Sequence, residues 1–334
     1  MGEGKSVRVY IDAWHPSYGT GMATGEDGPT EQASADITLD VERSPADWQP
    51  LAPPPHVRAP DVVLLVDGVR RIDARLSFQE ADGTIHAGIA ASYAAGVVRC
   101  DLRQGRADVT VAKVERGIFT PSPNATGMSA GNTHYGVHRV AAADPSQLLP
   151  EVQKPLAGLE TEMAIAARAN QPATDDLLVL DGPLSQRSGL PRALGYIKTH
   201  HKLYLQPEQE AVVRRLQPGQ RCPLFQLGNN WPTYTWYLKL PGPAGSPWAG
   251  VVRVETSART PLDQAIRMAD LSAITLPRFA SIAYKDPRAP QNLTAIGGLE
   301  RRLHHMLGDQ GLLVRALTTS ATTFAPRGMS ELVE

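Results

Sequence analysis

The chain is 334 residues long, with 42% hydrophobic residues, 20% charged residues and a formal net charge of −1. This composition is typical of a folded protein with a sizeable core, and the length suits one elaborated α/β domain or two modest ones. The near-zero charge excludes a global electrostatic attraction to nucleic acid, so such a partner would need a local basic surface. The longest apolar runs reach only about half a membrane span, so we expect no membrane segment. The two cysteines, Cys100 and Cys222, match no metal-ligand spacing and are interpreted as buried thiols.

Composition divides the chain into three regions. Residues 1–60 hold one predicted strand, at 7–14, followed by a Pro/Gly/Ser-rich extension or linker. Residues 61–320 form the folded region, and residues 321–334 form a C-terminal tail. The start of the chain has no apolar signal core, so we expect a cytoplasmic protein.

The folded region begins with strand patterns and then a helix pattern. Residues 62–66 form an apolar strand, and residues 72–78 alternate as a half-buried strand does. A hairpin signal at residues 81–84 leads into a third strand. A helix is predicted over residues 153–170, opened by Pro155 near its first turn and ended by Asn170.

Further elements follow this helix. Two more strands are predicted, one within residues 175–185 that ends in an Asp-Gly pair and one at residues 193–201. The remaining segment mixes helix and strand patterns: a helix at 208–216, an aromatic strand at 233–240, a strand at 249–256 and a late helix at 298–307. The sequence therefore predicts a mixed α/β fold.

Two Asp-Gly pairs follow near-identical apolar strands, "VVLLVDG" with Asp67 and "LLVLDG" with Asp181. An Asp-Gly pair after a strand is usually a turn, and that interpretation stays open for each pair. The helix between them carries Glu160 and Glu162, although a helical glutamate is most often merely solvated. Three strands in hairpin order, a helix with a carboxylate and a strand ending in Asp form the order of an RNase H-like core. In that arrangement the carboxylates converge on Mg²⁺ or Mn²⁺, which hard oxygen ligands prefer, and a pair of ions would hydrolyse a phosphodiester.

Several segments support a closer assignment: "LVDGVRR", "GLETEMAIA", "LLVLDGPLS", "LGYIKTHHKLYL" and, most distinctively, "DPRAPQNLTAIGGLERRLHHMLGDQGLLVRAL". They resemble the bacterial branch of the NurA nuclease family over roughly residues 61–317. The resemblance implies a NurA domain with an RNase H-like core flanked by N- and C-terminal elaborations. It also implies a ring-shaped homodimer, Mn²⁺-dependent DNA cleavage and a HerA-type hexameric ATPase translocase as partner.

By motif, Asp67 and Asp181 match the two catalytic aspartates of the family, and the helical glutamate falls on Glu160 or Glu162. The "LE" phrase favours Glu160, whereas the shorter gap to Asp181 favours Glu162. These four carboxylates are the predicted metal ligands.

One departure from the family concerns a Tyr and a His near the C-terminal helix, whose places here are taken by Ala289 and Gly297. The nearby polar residues Asp286, Arg288 and Asn292 are candidates for the vacant role, and His304 and His305 are alternatives. For Asp286 we predict a catalytic role, with a turn as the alternative. A weak metal site follows if nothing replaces the histidine.

Basic clusters fit a DNA channel. Arg70 and Arg71 follow Asp67, and strand alternation puts only one of them, Arg71, on the face of that aspartate. Lys198 is predicted to stabilise phosphate charge at the metals, with an ordinary surface lysine as the alternative. The predicted DNA-binding set comprises Arg70, Arg71, Lys198, His200, Lys202, Arg288 and Asn292.

Three functional hypotheses follow. The first is a Mn²⁺- or Mg²⁺-dependent DNA nuclease, a 5′–3′ exonuclease and/or single-strand endonuclease. It would act in DNA end resection, recombination and repair, near the nucleoid and beside a HerA-type translocase. The second is a catalytically weak, ring-shaped DNA-binding adaptor that activates the translocase. The third is an unrelated metal-dependent phosphoesterase for small substrates.

Overall fold

The computed structural model describes residues 36–141, 147–170, 175–200, 204–228, 230–242 and 248–323. Its strands are β1 (Asp36–Thr38), β2 (Val62–Gln79), β3 (Ile85–Asp101), β4 (Arg106–Thr120), β5 (Met128–Ala130), β6 (Thr133–Arg139), β7 (Asp176–Asp181), β8 (Ala193–Ile197), β9 (Phe225–Gly228), β10 (Thr233–Lys239) and β11 (Val251–Ser257). Its α-helices are α1 (Leu148–Asn170), α2 (Pro207–Arg214), α3 (Leu262–Thr275), α4 (Thr294–Met306) and α5 (Gln310–Thr323). The strand predicted at residues 7–14 lies outside the described residues. No helix in the described ranges is long and apolar enough to span a membrane.

The chain forms two units. Of the described residues, those within 36–65, 99–108 and 175–298 form the first unit, and those within 66–98, 109–170 and 299–323 form the second. The strands β2, β3 and β4 and the helix α4 each have residues in both units. The boundaries proposed from the sequence at residues 60 and 320 stay a prediction.

In the first unit, the strands follow the order β1-β9-β10-β11-β8-β7, with the start of β2 beside β7. The strands β7 and β8 are parallel, with Asp181 opposite Tyr196, and β11 runs antiparallel to β8. The strands β7 and β8 are mainly apolar because both of their faces are buried, and β11 is fully buried although it carries Arg253 and Glu255. The aromatic strand β10 buries Trp236 and Tyr237 in this core.

In the second unit, the strands follow the order β2-β3-β4-β6-β5, and β6 pairs with β4 in parallel. The predicted hairpin is confirmed, since the backbone N–H of Glu80 donates to the carbonyl oxygen of Thr84 and Gly83 has φ 87°. Each unit combines a sheet with helices. The mixed α/β class is therefore confirmed.

The strand β2 corrects the expectation that an apolar strand ends before Asp67. It runs without interruption for 18 residues through Asp67 and Gly68 to Gln79. The turn interpretation of the first Asp-Gly pair is therefore wrong, because both residues are extended. The 17-residue β3 provides a hairpin partner of similar length, and this pairing overrides the local turn preference of Asp-Gly.

The helix α1 begins at Leu148, earlier than predicted, and ends at Asn170 as predicted. Pro155 consequently lies inside the helix rather than in its first turn, where it removes one backbone hydrogen bond. The helix persists because it buries an apolar stripe at three- and four-residue spacing, formed by Val152, Leu156, Leu159 and Met163.

The segment before β2 is anchored to the first unit by a buried arginine. Arg221, whose side chain is 2% exposed, contacts Glu42 at 2.7 Å and Asp270 at 2.7 Å. The backbone of Arg221 also exchanges hydrogen bonds with that of Leu51, at 2.8 and 3.0 Å. Two carboxylates thus compensate one buried guanidinium, and one of them comes from residues before the folded region predicted by composition.

Candidate metal centre and its lysine

Asp181 is the last residue of β7, where the sequence places it. The next residue, Gly182, forms an isolated bridge with Tyr196, and its φ of 89° suits glycine. The backbone N–H of Gly182 donates to the carbonyl oxygen of Tyr196 at 2.8 Å, which ties the end of β7 to β8. The carboxylate of Asp181 is therefore presented at the carboxyl end of a parallel pair of strands, where sites form in open α/β sheets.

Glu255 on β11 fixes the segment that follows β7. The sequence interpretation did not single this residue out. Its Oε1 accepts a hydrogen bond from the backbone N–H of Leu184 at 2.7 Å, and its Oε2 lies 2.8 Å from Nη1 of Arg253. Both charged side chains are almost fully buried. The signal in the sequence is the "VRVE" stretch, where two charged residues interrupt an apolar strand.

Lys198 follows β8 directly and contacts Asp181. Its Nζ lies 2.5 Å from Oδ2 of Asp181, and each side chain is only 13% exposed. The same Nζ donates to Oδ1 of Asn292 at 2.9 Å. An ammonium held by two oxygen acceptors is thus positioned beside the aspartate, so the ordinary surface interpretation of Lys198 is wrong.

The loop before α4 supplies the second acceptor for Lys198. The amide Nδ2 of Asn292 donates to Oδ2 of Asp286 at 2.6 Å, and Oδ1 of Asp286 accepts from the backbone N–H of Arg288 at 2.8 Å. The buried hydroxyl of Tyr196 donates to the carbonyl oxygen of Gln291 at 2.6 Å. Burial, with a smaller effect of the charge on Asp181, raises the pKa of Tyr196 well above its ordinary value, so this hydroxyl keeps its proton.

The positions of Asn292 and Arg288 bear on their predicted DNA-binding role. Asn292 has no exposed surface, so it cannot contact DNA in this conformation, and that prediction is wrong. Arg288 is partly buried, with Nε 3.6 Å from Asp286. Asp286 itself is 8% exposed and accepts hydrogen bonds from its own loop, and its predicted catalytic role stays a prediction.

In the second unit, Asp67 lies near a glutamate that the sequence interpretation missed. One carboxylate oxygen of Asp67 and one of Glu300, on α4, lie within 4.8 Å of each other. The same face of β2 carries Arg71, which donates to the carbonyl oxygens of Gly308 at 2.9 Å and Leu307 at 3.4 Å, just after α4. Glu300 belongs to the "GLERRLHHML" helix, where its neighbouring cations make it resemble an ordinary surface residue.

The structure separates the two glutamates of α1. Glu160 is 5% exposed, and a β-carbon on Gly68 would lie 2.7 Å from its Oε1, so Glu160 packs on the opposite face of β2 from the Asp67 side chain. Glu162 is exposed and forms an ion pair with Lys113 at 3.1 Å. Of these two described glutamates, Glu160 lies against β2 at Gly68, next to Asp67, whereas Glu162 pairs with Lys113.

The remaining basic candidates have different environments. Arg70 is exposed and donates to Gln153, on α1. Arg71 is partly buried and forms an ion pair with Asp73 at 2.9 Å. His200 is 3% exposed and its Nε2 lies 2.9 Å from the carbonyl oxygen of Val251, so the prediction that it binds DNA is wrong. Lys202 lies outside the described residues.

Comparison with solved structures shows low-level similarity to nucleases. The chain is similar to the NurA nuclease from Sulfolobus solfataricus, with 10% identity over 83% of this chain and 86% of that one, and a TM-score of 0.41. It is also similar to the catalytic domain of human Endonuclease V, with 17% identity over 82% of this chain and 90% of that one, and a TM-score of 0.30. A structure of NurA bound to dAMP and manganese matches at 14% identity over 44% of this chain and 24% of that one, with a TM-score of 0.21.

No protein-family model and no curated protein matches the chain. Because the three TM-scores all lie below 0.5, we infer the function below from the residues of the chain itself.

Proposed function

We propose that the protein is a metal-dependent deoxyribonuclease that hydrolyses phosphodiester bonds. The observation that carries this proposal is a set of carboxylates accompanied by a fixed ammonium. In the second unit, Asp67 and Glu300 offer carboxylate oxygens within 4.8 Å of each other, as a metal ion requires. In the first unit, Asp181 ends β7 at the carboxyl end of the parallel pair β7 and β8. Lys198 supplies the ammonium, in contact with Asp181.

The chemistry of these residues fits a hard divalent cation. Two carboxylates whose oxygens lie within 4.8 Å, as those of Asp67 and Glu300 do, repel each other by about 3 kcal/mol at an effective dielectric constant of ~20. A divalent cation between them converts this repulsion into attraction. Carboxylate oxygens prefer Mg²⁺ or Mn²⁺ over the softer metals, which favour thiolate or imidazole ligands. The second ion expected from the sequence stays a prediction.

In the reaction, a bound divalent ion would activate water and stabilise the leaving oxygen. Asp67 and Glu300 would bind it, and the sequence resemblance adds Asp181 as a ligand; the mainly apolar strands β2 and β7 fix the two aspartates. Lys198 would donate a hydrogen bond to a non-bridging phosphate oxygen, where negative charge increases in the transition state. Its ammonium is already oriented by Asn292, so little reorganisation is required.

The finer features of the proposal are supported by the sequence resemblance. They are a dependence on Mn²⁺, a homodimer, a HerA-type hexameric ATPase as partner and a role in DNA end resection. The same proposal includes the mode of cleavage, which is 5′–3′ exonucleolytic, endonucleolytic on single strands, or both.

The proposal is tested by cleavage of labelled single- and double-stranded DNA with Mn²⁺, Mg²⁺ or EDTA, with and without a HerA-type ATPase. We expect cleavage with Mn²⁺, none with EDTA, and loss of cleavage in Asp181→Asn with DNA binding retained. DNA binding without cleavage under every metal condition would contradict the nuclease proposal and favour the adaptor.

A further inference from the structure

The amide of Asn292 connects Lys198 to Asp286 through a directional chain of hydrogen bonds. Its Oδ1 accepts from Nζ of Lys198 at 2.9 Å, and its Nδ2 donates to Oδ2 of Asp286 at 2.6 Å. An ammonium can only donate and a carboxylate can only accept. The reversed amide would place donors against Lys198 and an acceptor against Asp286. Asp286 therefore selects the amide orientation that offers an acceptor to Lys198.

Asp286 is itself fixed within its loop. Its Oδ1 accepts from the backbone N–H of Arg288 at 2.8 Å, and its own N–H donates to the carbonyl oxygen of Ile282 at 3.1 Å. The loop is further tied to β8, where the Tyr196 hydroxyl donates to the carbonyl oxygen of Gln291 at 2.6 Å. Asn292 has no exposed surface, so water cannot substitute for either of its partners without opening the loop.

We infer that Asn292 and Asp286 are positioning residues that act on the reaction through Lys198. They hold a flexible, four-carbon side chain at one place beside Asp181, so that a bound phosphate meets a cation already in position. This inference rests on the proposed function, because the reaction that it describes is the cleavage of a phosphodiester. The benefit is one of orientation, and it requires neither residue to touch the substrate.

The first test is a double-mutant cycle on the rate of DNA cleavage at saturating substrate. We expect Asn292→Ala to lower kcat by about 10-fold and Lys198→Ala by about 100-fold, as for a preorganised donor. If Asn292 acts through Lys198, adding Asn292→Ala to Lys198→Ala has no further effect. A further 10-fold loss in the Lys198→Ala background would overturn the inference.

The second test exchanges the acid and the amide. Asp286→Asn or Asn292→Asp alone disrupts the donor–acceptor pattern. The double variant Asp286→Asn/Asn292→Asp restores it without changing the net charge, since the amide at 286 can donate to the carboxylate at 292. We expect each single variant to lose activity and the double variant to recover most of it, with circular dichroism spectra unchanged. A double variant that shows the sum of the two losses would contradict the inference. This test does not use Asn292→Ala, so it remains decisive if that variant does not fold.

The third test is independent of nuclease activity. Reductive methylation of Lys198 in the purified protein without metal is followed by peptide mass spectrometry, with the exposed Lys154 as an internal reference. We expect Lys198 to react several-fold faster in Asn292→Ala and Asp286→Ala than in the unmodified sequence, and Lys154 to react equally. An unchanged Lys198 rate would overturn the positioning inference even if the protein is a nuclease. A faster rate in a protein without cleavage would instead contradict the proposed function alone.

Discussion

The carboxylate of Glu160 lies directly against the α-carbon of Gly68. A β-carbon at Gly68 would lie 2.7 Å from Oε1 of Glu160 and 2.7 Å from Cδ1 of Leu156. Gly68 is an extended strand residue, so its glycine is explained by close approach to α1 rather than by a turn. The residue that follows Asp67 thus sets how closely α1 packs on β2.

We therefore expect Gly68→Ala to lower the free energy of unfolding by about 1–3 kcal/mol, as overpacking does. Urea denaturation followed by tryptophan fluorescence measures the change. The matched control is Gly158→Ala on α1, where an added β-carbon meets nothing within 4 Å. In the control, the gain in helix propensity should stabilise by up to ~1 kcal/mol. Equal stabilities for the two variants would show that α1 does not pack closely at Gly68.

Glu300→Gln should lower Mn²⁺-dependent cleavage about 100-fold or more, because a metal ion contributes several kcal/mol of charge stabilisation and this variant removes a charged ligand. Glu162→Gln is the control and should stay within about twofold, since an exposed ion pair such as that with Lys113 contributes little. Cleavage rates measured across a Mn²⁺ titration test whether Glu300 is a metal ligand. Wild-type activity in Glu300→Gln would exclude it as a ligand.

Alanine substitutions of Arg70 and Arg71 should affect different properties, DNA affinity for Arg70 and the free energy of unfolding for Arg71. Arg70 is exposed, so Arg70→Ala should weaken DNA binding and reduce the slope of log K against log salt by about 0.7 for one single-strand phosphate contact. Arg71 binds Asp73 and the carbonyl oxygens after α4, so Arg71→Ala should instead lower the free energy of unfolding. Salt-dependent fluorescence anisotropy and urea denaturation measure the two effects. A larger loss of DNA affinity in Arg71→Ala than in Arg70→Ala, with stability unchanged, would reverse these assignments.

Neither cysteine should react as a thiolate near neutral pH. Burial raises the pKa of Cys100 to about 11 and that of Cys222 to about 12. Because only the thiolate attacks a disulfide reagent, the folded protein should not react with Ellman's reagent at pH 8, whereas both thiols should react in guanidinium. The folded state also keeps these protons to higher pH than the unfolded state, so stability should fall as pH rises above about 9. A rapidly reacting thiol at pH 8 in the folded protein would contradict the burial of that cysteine.

The two Asp-Gly pairs show what local sequence can and cannot predict here. Asp181 ends a strand as expected, and Gly182 after it has a positive φ. Asp67 has the same local pattern and lies inside an 18-residue strand. The difference comes from the long partner strand β3, whose pairing lies beyond any local signal. The element types were predictable from periodicity, whereas the continuity of β2 was not.

The site residues show the same limit. Lys198, Asp286 and Asn292 were singled out as polar residues near a candidate site, and the structure joins them through hydrogen bonds. Burial was not predictable, and it changes the interpretation of Asn292 from a DNA contact to an internal support. Glu300 was missed because charges next to it on the helix give the pattern of a solvated surface, and only tertiary packing brings it close to Asp67.

The buried guanidinium of Arg221 limits how many residues can be removed from the beginning of the chain. A protein starting at residue 61 would match the composition boundary, yet it would lack Glu42 and the backbone partner Leu51. Arg221 would then keep one carboxylate, that of Asp270, and the carbonyl oxygen of Cys222 in an almost fully buried environment. Breaking such a network typically costs about 3–5 kcal/mol. That is a large share of the 5–15 kcal/mol or so that holds a typical domain folded. Expression of the folded region for crystallisation or binding studies should therefore begin before Asp36, so that the Pro-rich stretch that looks dispensable in the sequence is kept.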